Sequence, residues 1–156
     1  MQLVLCRIDD RLIHGQFTTQ WLPQYPADTL YVVDDAVAND AFLSDVMRML
    51  APAGLRVLLQ GTQDAAAALL SAPASQRAIL LVKTPLTLCA LQQRGVRLAT
   101  VSLGGMGLMD DRTMLYKNIA ASPAERQALR SLIEHGCTVQ CQVVPGDRPV
   151  DVSPLL

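Results

Sequence analysis

Short apolar runs that alternate with longer helical patterns restrict the fold of this chain more than any other feature. Each run is rich in Val, Ile or Leu, and Gly, Pro or Asp stands at nearly every junction. The run at 78–82 is apolar throughout, which is typical of a strand covered on both faces. The pattern predicts an α/β protein with a mainly parallel sheet. The predicted strands are 3–8, 30–33, 55–60, 78–82, 96–103 and 138–144.

The segments between these runs carry start and stop signals of helices. Ser122-Pro123-Ala124-Glu125 has the pattern of a capping box with proline at the first helical position. Segment 112–121 is compatible with a short strand. Helices are predicted over 16–22 and 37–50, after a cap at Thr62 through Leu70, from Thr84 to near Gly95, and from Ser122 to His135.

The composition excludes several classes of protein. Hydrophobic residues make up 51% of the 156 residues and charged residues 17%, so the chain is not intrinsically disordered. Thirteen basic and 14 acidic residues give a net charge of −1, which provides no basic field for nucleic acid. No linker-like or repeated segment interrupts the pattern, so we expect one domain over 1–156.

The expected compartment is the cytoplasm. The charged residues Arg7, Asp9, Asp10 and Arg11 stand where a signal peptide would continue its apolar stretch, and no apolar run reaches the about 18 residues needed to cross a bilayer. The cysteines are scattered in apolar contexts, so we expect free thiols. These cysteines are Cys6, Cys89, Cys137 and Cys141.

The loop after the first predicted strand is the main candidate for chemistry, because ligands bind at the carboxyl ends of parallel strands. It contains Asp9, Asp10, Arg11, His14 and Gly15. A neutral imidazole can attack a phosphoryl group while a carboxylate orients its other nitrogen and a guanidinium neutralises the phosphoryl oxygens. From the spacing alone an alternative stays open, in which His14 caps or packs against a loop and Arg11 pairs with Asp10.

Two further clusters of residues are candidate binding sites. Cys137 and Cys141 on a straight strand are ~13 Å apart, which is too far to share a zinc ion with His135, so we expect no metal. The glycine cluster 104–107 lacks the lysine and hydroxyl residue of a P-loop. It is compatible with a tight turn or with a phosphate cradle formed by backbone amides.

Segment 7–16, Arg7-Ile8-Asp9-Asp10-Arg11-Leu12-Ile13-His14-Gly15-Gln16, resembles the signature loop of enzyme IIB components of the mannose/sorbose family of the sugar phosphotransferase system (PTS). Shorter matches follow in family order at 32–35, 83–85, 102–106 and 134–136. The resemblance therefore covers nearly the whole chain.

This resemblance implies a phosphocarrier, a protein-Nπ-phosphohistidine–sugar phosphotransferase without a cofactor. His14 is implied to accept a phosphoryl group from a phosphohistidine of a IIA protein and to pass it to a sugar imported through membrane IIC and IID subunits. Arg7 and Arg11 are implied to bind the phosphoryl group or the IIA surface. Asp10 is inferred to hold the loop by a hydrogen bond, and Gly15 keeps backbone close to the imidazole.

The resemblance also implies helices on both faces of the sheet, one antiparallel strand near the C-terminus, and a cytoplasmic protein that associates peripherally with its membrane transporter. The sugar and the oligomeric state, including a homo-oligomer, stay open. The chain departs from many relatives after Gly105-Met106, where it continues Gly107-Leu108-Met109-Asp110-Asp111 instead of a polar or basic run.

Two alternatives from other classes compete with this interpretation. A signalling receiver domain needs an acceptor aspartate at the end of the third strand, where this chain has Gln60-Gly61. In a non-catalytic oligomerisation module the loop charges form only surface ion pairs worth about 0–1 kcal/mol each, and His14 is dispensable.

Overall fold

A seven-stranded sheet organises the protein, as seen in a computed structural model that describes residues 1–109 and 111–156. The sheet order is β3-β2-β4-β1-β5-β8-β9, while β6 and β7 form a separate antiparallel hairpin. The strands of the described residues are β1 (Gln2–Asp9), β2 (Thr29–Val33), β3 (Arg56–Gln60), β4 (Arg77–Val82), β5 (Thr100–Gly105), β6 (Thr113–Tyr116), β7 (Ile119–Ala121), β8 (Thr138–Cys141) and β9 (Val150–Asp151). Every pairing within the large sheet is parallel except β8 with β9. The predicted fold class, with one antiparallel strand near the C-terminus, is confirmed.

Helices cover both faces of the sheet. The α-helices are α1 (Asp35–Ala38), α2 (Ala41–Leu50), α3 (Thr62–Ser71), α4 (Pro85–Gln93) and α5 (Pro123–Glu134). One core cluster joins Ile8 of β1 to Leu88 of α4 and Leu129 of α5. The other lies on the opposite face, where Phe17 and Trp21 pack against apolar residues of β1, β2 and β4. The two clusters hold the central strands in place from both sides, which makes the carboxyl ends of those strands a rigid platform.

Several predicted helices have different boundaries in the structure. The expected helix at 37–50 is interrupted at Asn39–Asp40, because the Asp40 carboxylate accepts a hydrogen bond from Leu43 N (3.0 Å) and begins α2 there. Segment 16–22 is not an α-helix but a π-helical turn over Phe17–Trp21 followed by a 3₁₀ turn over Leu22–Gln24. The capping box of α5 is confirmed, with Ser122 as the cap and Glu125 returning the bond.

Thr62 is not the cap of α3, as the sequence predicts, but its first helical residue. Gly61 occupies the cap position, and the Thr62 hydroxyl instead donates to Asp35 Oδ2 at 2.9 Å. The Asp35 carboxylate also accepts from Thr62 N at 2.7 Å, so a carboxylate from another helix satisfies the first-turn amide that a threonine cap would have served.

The sheet topology places the loop after β1 at a crevice. β1 lies between β4 and β5, and its connection leads towards β2 on one side of the sheet, whereas the chain after β5 leads to β8 on the other side. Loops that leave neighbouring strands in opposite directions open a crevice at the strand ends. Within the described residues no helix is both long and apolar enough to span a membrane.

Candidate functional site

Asp9, the last residue of β1, is the centre of the site. Its side chain has no exposed surface and accepts hydrogen bonds from both neighbouring arginines. Arg7 Nη2 lies 3.4 Å from Oδ2, while Arg11 Nε lies 3.0 Å from Oδ1 and Arg11 Nη2 lies 3.1 Å from Oδ2. His14 Nε2 lies 3.2 Å from the same Oδ2. One buried carboxylate therefore organises the two arginines and the histidine of the loop.

The charge of Asp9 is stabilised by its neighbours. Burial alone would raise the pKa of Asp9, but the hydrogen bond from Arg11 and the positive charges around it outweigh burial and lower that pKa. Asp9 is therefore ionised at neutral pH and acts only as a hydrogen-bond acceptor.

His14 presents one ring nitrogen to Asp9 and leaves the other available. Its side chain is 17% exposed. Burial lowers the pKa of His14 below its ordinary value, and the opposing effect of Asp9 does not reverse the shift. The imidazole is therefore neutral at neutral pH. Since ionised Asp9 can only accept, the ring hydrogen lies on Nε2 and the lone pair on Nδ1, for which the described residues provide no partner.

A tight turn holds His14 in this position. Leu12 N donates to Asp9 O at 3.0 Å, and Leu12 adopts a left-handed conformation with φ of 57°. This conformation is unfavourable for leucine. It is maintained because the side chains of Leu12 and Ile13 are buried in the core cluster beneath the loop.

Arg7 lies beneath the site. Its side chain is 1% exposed, and Nη1 donates to Ser102 Oγ (3.1 Å) and to the carbonyl of Gln142 (3.0 Å). The guanidinium carbon lies 3.8 Å from the centroid of the Trp21 ring, a cation–π contact. Burial lowers the pKa of Arg7 to about 10, which leaves it charged at neutral pH. In this position Arg7 contacts Asp9 and the core and offers no surface to a partner.

Of the two arginines that contact Asp9, Arg11 is the one with an exposed side chain. Its side chain is 47% exposed, and it holds Asp9 through Nε and Nη2 while Nη1 donates to Gln16 Oε1 at 3.3 Å. The hydrogen bond to Asp9 raises the pKa of Arg11. The pairing of Arg11 with Asp10, left open as an alternative on spacing, is wrong, because the partner of Arg11 is Asp9.

Asp10 holds the loop from the other side. Its Oδ2 accepts from Gly107 N at 2.9 Å and from Arg112 Nη1 at 3.1 Å, so Asp10 contacts the glycine loop and not His14. Gly15 is exposed, and its carbonyl accepts from the hydroxyls of Thr18 (3.0 Å) and Thr19 (2.7 Å).

Arg112 and Glu125 extend the network, and the sequence predicted neither of them as a site residue. Arg112 Nε and Nη2 contact the two oxygens of Glu125 at 2.9 and 2.7 Å, and both side chains are 8% exposed. Burial alone would raise the pKa of Glu125, but the hydrogen bond from Arg112 outweighs it and lowers that pKa. The capping box in the sequence places Glu125 in the first turn of a helix, but no sequence pattern indicates an ion pair between Glu125 and Arg112.

The glycine cluster allows charged side chains of β1 to lie directly against the backbone of β5. A Cβ on Gly104 would overlap the Arg7 guanidinium, and one on Gly105 would overlap the Asp9 carboxylate. These two glycines therefore make room for the buried ion pair. Their contacts account for the glycines without a phosphate cradle.

The remaining candidates lie away from the site. His135 is exposed, and its Nδ1 lies 2.7 Å from the Ser131 carbonyl. Cys137 and Cys141 are buried, and burial raises the pKa of each thiol to about 11. Among residues 1–109 and 111–156, no group of three His, Cys, Asp or Glu side chains is arranged to hold a metal ion. Asp110, part of the departure noted after the glycine cluster, lies outside the described residues.

A family model described as the PTS system sorbose subfamily IIB component matches residues 3–156. The chain belongs to this IIB family. The sorbose-specific EIIB component of Klebsiella pneumoniae is 32% identical to this IIB component over 153 residues, 97% of this chain and 93% of that protein. The fructose-specific EIIB component of Bacillus subtilis (strain 168) is 30% identical over 158 residues, 100% of this chain and 96% of that protein.

The fold leads to the same family. The crystal structure of the IIBSor domain of the sorbose permease from Klebsiella pneumoniae matches this IIB component with a TM-score of 0.90 and 32% identity, covering 97% of this chain and 94% of that one. The expected family is therefore confirmed, and with it a phosphotransferase of the IIB type that functions in sugar transport. Neither the receiver-like nor the oligomerisation alternative is supported by these relatives.

Proposed function

We propose that this IIB component carries a phosphoryl group on Nδ1 of His14. The observation that supports the proposal is the contact of Nε2 with buried, ionised Asp9, which keeps the hydrogen on Nε2 and the lone pair on Nδ1. The lowered pKa of His14 keeps the ring neutral and nucleophilic at neutral pH. Both properties are needed before the ring can attack phosphorus.

The transfer step follows from this geometry. The Nδ1 lone pair forms the new N–P bond while the bond from phosphorus to the nitrogen of the donor phosphohistidine breaks, and that nitrogen keeps the electron pair. The ring of His14 becomes positively charged, and Asp9 stabilises this charge through Nε2–H. Arg11 is the exposed guanidinium beside the ring and neutralises the phosphoryl oxygens. Arg7 supports the step from below by fixing Asp9.

The reverse sequence of events delivers the phosphoryl group. A sugar hydroxyl attacks phosphorus, the N–P bond breaks, and Nδ1 recovers its electron pair while the hydroxyl proton passes to solvent or to a partner group. We propose no cofactor or metal for this step, because Arg11 supplies the positive charge at the phosphoryl oxygens.

The partners we propose are a IIA protein as phosphodonor and the membrane IIC and IID subunits that import the sugar. The proposed location is the cytoplasm, with peripheral attachment to that transporter, and the functional unit is one domain over residues 1–156. His14 lies at the open carboxyl edge of the sheet, where the surfaces of two such partners can reach it in turn.

The test is phosphorylation by a phosphorylated IIA protein. We expect His14→Ala to accept no phosphate and to keep its fold, since the imidazole lies in a loop at the sheet edge. His135→Ala is the matched control, because it removes the other histidine at an exposed site, and it should accept phosphate as wild type does. Phosphate acceptance by folded His14→Ala would refute the assignment.

A further inference from the structure

We propose that Arg112 is a positioning residue for phosphoryl transfer, which fixes the phosphoacceptor loop (residues 9–15) against the glycine loop (residues 104–107). The inference rests on the proposed function of His14. Arg112 lies 98 positions after His14 in the sequence and belongs to neither loop.

The guanidinium of Arg112 connects three parts of the protein. Nη1 donates to Asp10 Oδ2 at 3.1 Å and to the Gly107 carbonyl at 2.9 Å. Nε and Nη2 form a two-point contact with Glu125 in the first turn of α5. Because Glu125 also closes the capping box of α5, the guanidinium is anchored to a rigid helix while its other edge holds both loops.

Asp10 transmits this anchoring to His14. Asp10 N donates to the Gly105 carbonyl at 2.7 Å, and Gly107 N donates to its carboxylate, so Asp10 is attached to the glycine loop through backbone and side chain. Asp10 is also the second residue of the turn closed by Leu12 N and Asp9 O. Any displacement of Asp10 therefore shifts the turn that orients Asp9 and His14.

The arginine cannot be replaced by another cation without loss. The five N–H groups of a guanidinium in a plane allow one side chain to serve a carboxylate on each edge, whereas lysine offers a single nitrogen. The side chain is 8% exposed, so water does not readily substitute for the lost donors. Removal of Arg112 leaves the Asp10 carboxylate with the Gly107 amide alone and frees the loop to sample unproductive positions.

A solely structural role is the competing explanation, in which Arg112 only attaches the β6 segment to α5. Arg126 provides the matched control for that role. Its Nη2 donates to Thr113 Oγ1 (3.1 Å) and to the Met114 carbonyl (3.1 Å), so it attaches the same strand to the same helix without contacting either loop. The side chain of Arg126 donates four hydrogen bonds, as that of Arg112 does, but all four acceptors are neutral oxygens.

The experiment compares Arg112→Met, Arg126→Met, Asp10→Ala and the Asp10→Ala/Arg112→Met double variant in steady-state transfer from phosphorylated IIA. We expect Arg112→Met to lower kcat about tenfold with unchanged KM for the donor, equivalent to about 1.4 kcal/mol. Arg126→Met should lower the thermal midpoint but not kcat. The double variant should be no slower than Arg112→Met, because both changes break one contact.

Three results would overturn the inference: wild-type kcat in Arg112→Met, an equal loss of kcat in Arg126→Met, or losses that multiply in the double variant. If Arg112→Met does not fold, Asp10→Ala decides alone, since it removes the acceptor of the same contact from a more exposed side chain, and wild-type kcat in it overturns the inference. Failure of the wild type to become phosphorylated on His14 would instead refute the proposed function itself.

Discussion

His14 Nε2 lies 3.2 Å from Oδ2 of Asp9, a carboxylate that has no exposed surface. The contact determines which ring nitrogen carries the hydrogen, while burial of the ring determines that the other nitrogen is not protonated at neutral pH. Asp9 thus has two roles at one site. In the proposed transfer it selects the tautomer of the acceptor before the step and stabilises the charged ring after it.

The first prediction concerns the pH dependence of phosphate acceptance. Burial lowers the pKa of His14, so the neutral form persists below the ordinary histidine pKa of about 6.5 and is lost only at lower pH. The initial rate of acceptance should therefore stay level down through about pH 6.5 and fall only at lower pH. An NMR titration of the His14 ring measures the same quantity, and a pKa above 6.5 in the unphosphorylated protein would contradict the burial argument.

The second prediction is that Asp9→Asn strongly destabilises the protein. The change leaves the buried Arg7 guanidinium without its counter-charge, and loss of one partner of a buried ion pair costs about 3–5 kcal/mol. Urea unfolding measures the loss. Asp45→Asn is the control, because Asp45 is 75% exposed and pairs with exposed Arg48, so its loss should cost about 0–1 kcal/mol. Equal losses for both variants would show that the Arg7–Asp9 pair has no special role in stability.

The third prediction contrasts two glycines of the site. A Cβ on Gly104 would overlap the Arg7 guanidinium, which is held in place by hydrogen bonds to Ser102 and two carbonyls. Gly104→Ala should therefore lower stability by about 1–3 kcal/mol or more. Gly15→Ala should leave the thermal midpoint nearly unchanged, since no atom lies within 4 Å of the added Cβ. A Gly104→Ala protein as stable as wild type would place Arg7 elsewhere.

The fourth prediction separates charge from geometry at Arg11. Arg11 holds both oxygens of Asp9 and still has Nη1 directed towards Gln16. Lysine keeps the charge but lacks the several planar N–H donors of a guanidinium, so Arg11→Lys should slow transfer by about tenfold or more. Its stability should change by less than about 1 kcal/mol, because the side chain is 47% exposed. Wild-type transfer kinetics in this variant would assign Arg11 a structural role.

Much of the fold could be predicted from sequence because the strands are continuous apolar runs. The run at 78–82 became the centre of β4, buried on both faces, and the Ser122 capping box began α5 as expected. The break in the 37–50 helix was missed although Asp40 is a typical cap residue, because the apolar pattern continues across it. In the structure the Asp40 cap ends the pattern there, and the Ser44 hydroxyl donates to the Val37 carbonyl across the break.

The site was harder to predict than the fold for a physical reason. Asp9 and Asp10 are adjacent residues of the same type, so the sequence does not distinguish their roles. The roles differ because Asp9 shares the buried face of β1 with Arg7, while Asp10 points to the glycine loop. The contact of Asp10 with Arg112 spans 102 positions, and no local pattern records such a pairing. The sequence therefore indicates the loop and its histidine, whereas identification of the carboxylate that orients the ring requires the structure.

The most direct test of the account is to locate the phosphoryl group and determine the chemistry of its bond after transfer from phosphorylated IIA. We predict a label on His14, found by mass spectrometry of peptides kept in alkali and assigned to Nδ1 by NMR of the intact protein. A phosphoryl group on an imidazole is lost in mild acid and retained in strong base, whereas an aspartyl phosphate is destroyed by hydroxide. A label that is stable in acid, labile in alkali or attached to any residue other than His14 would contradict the account.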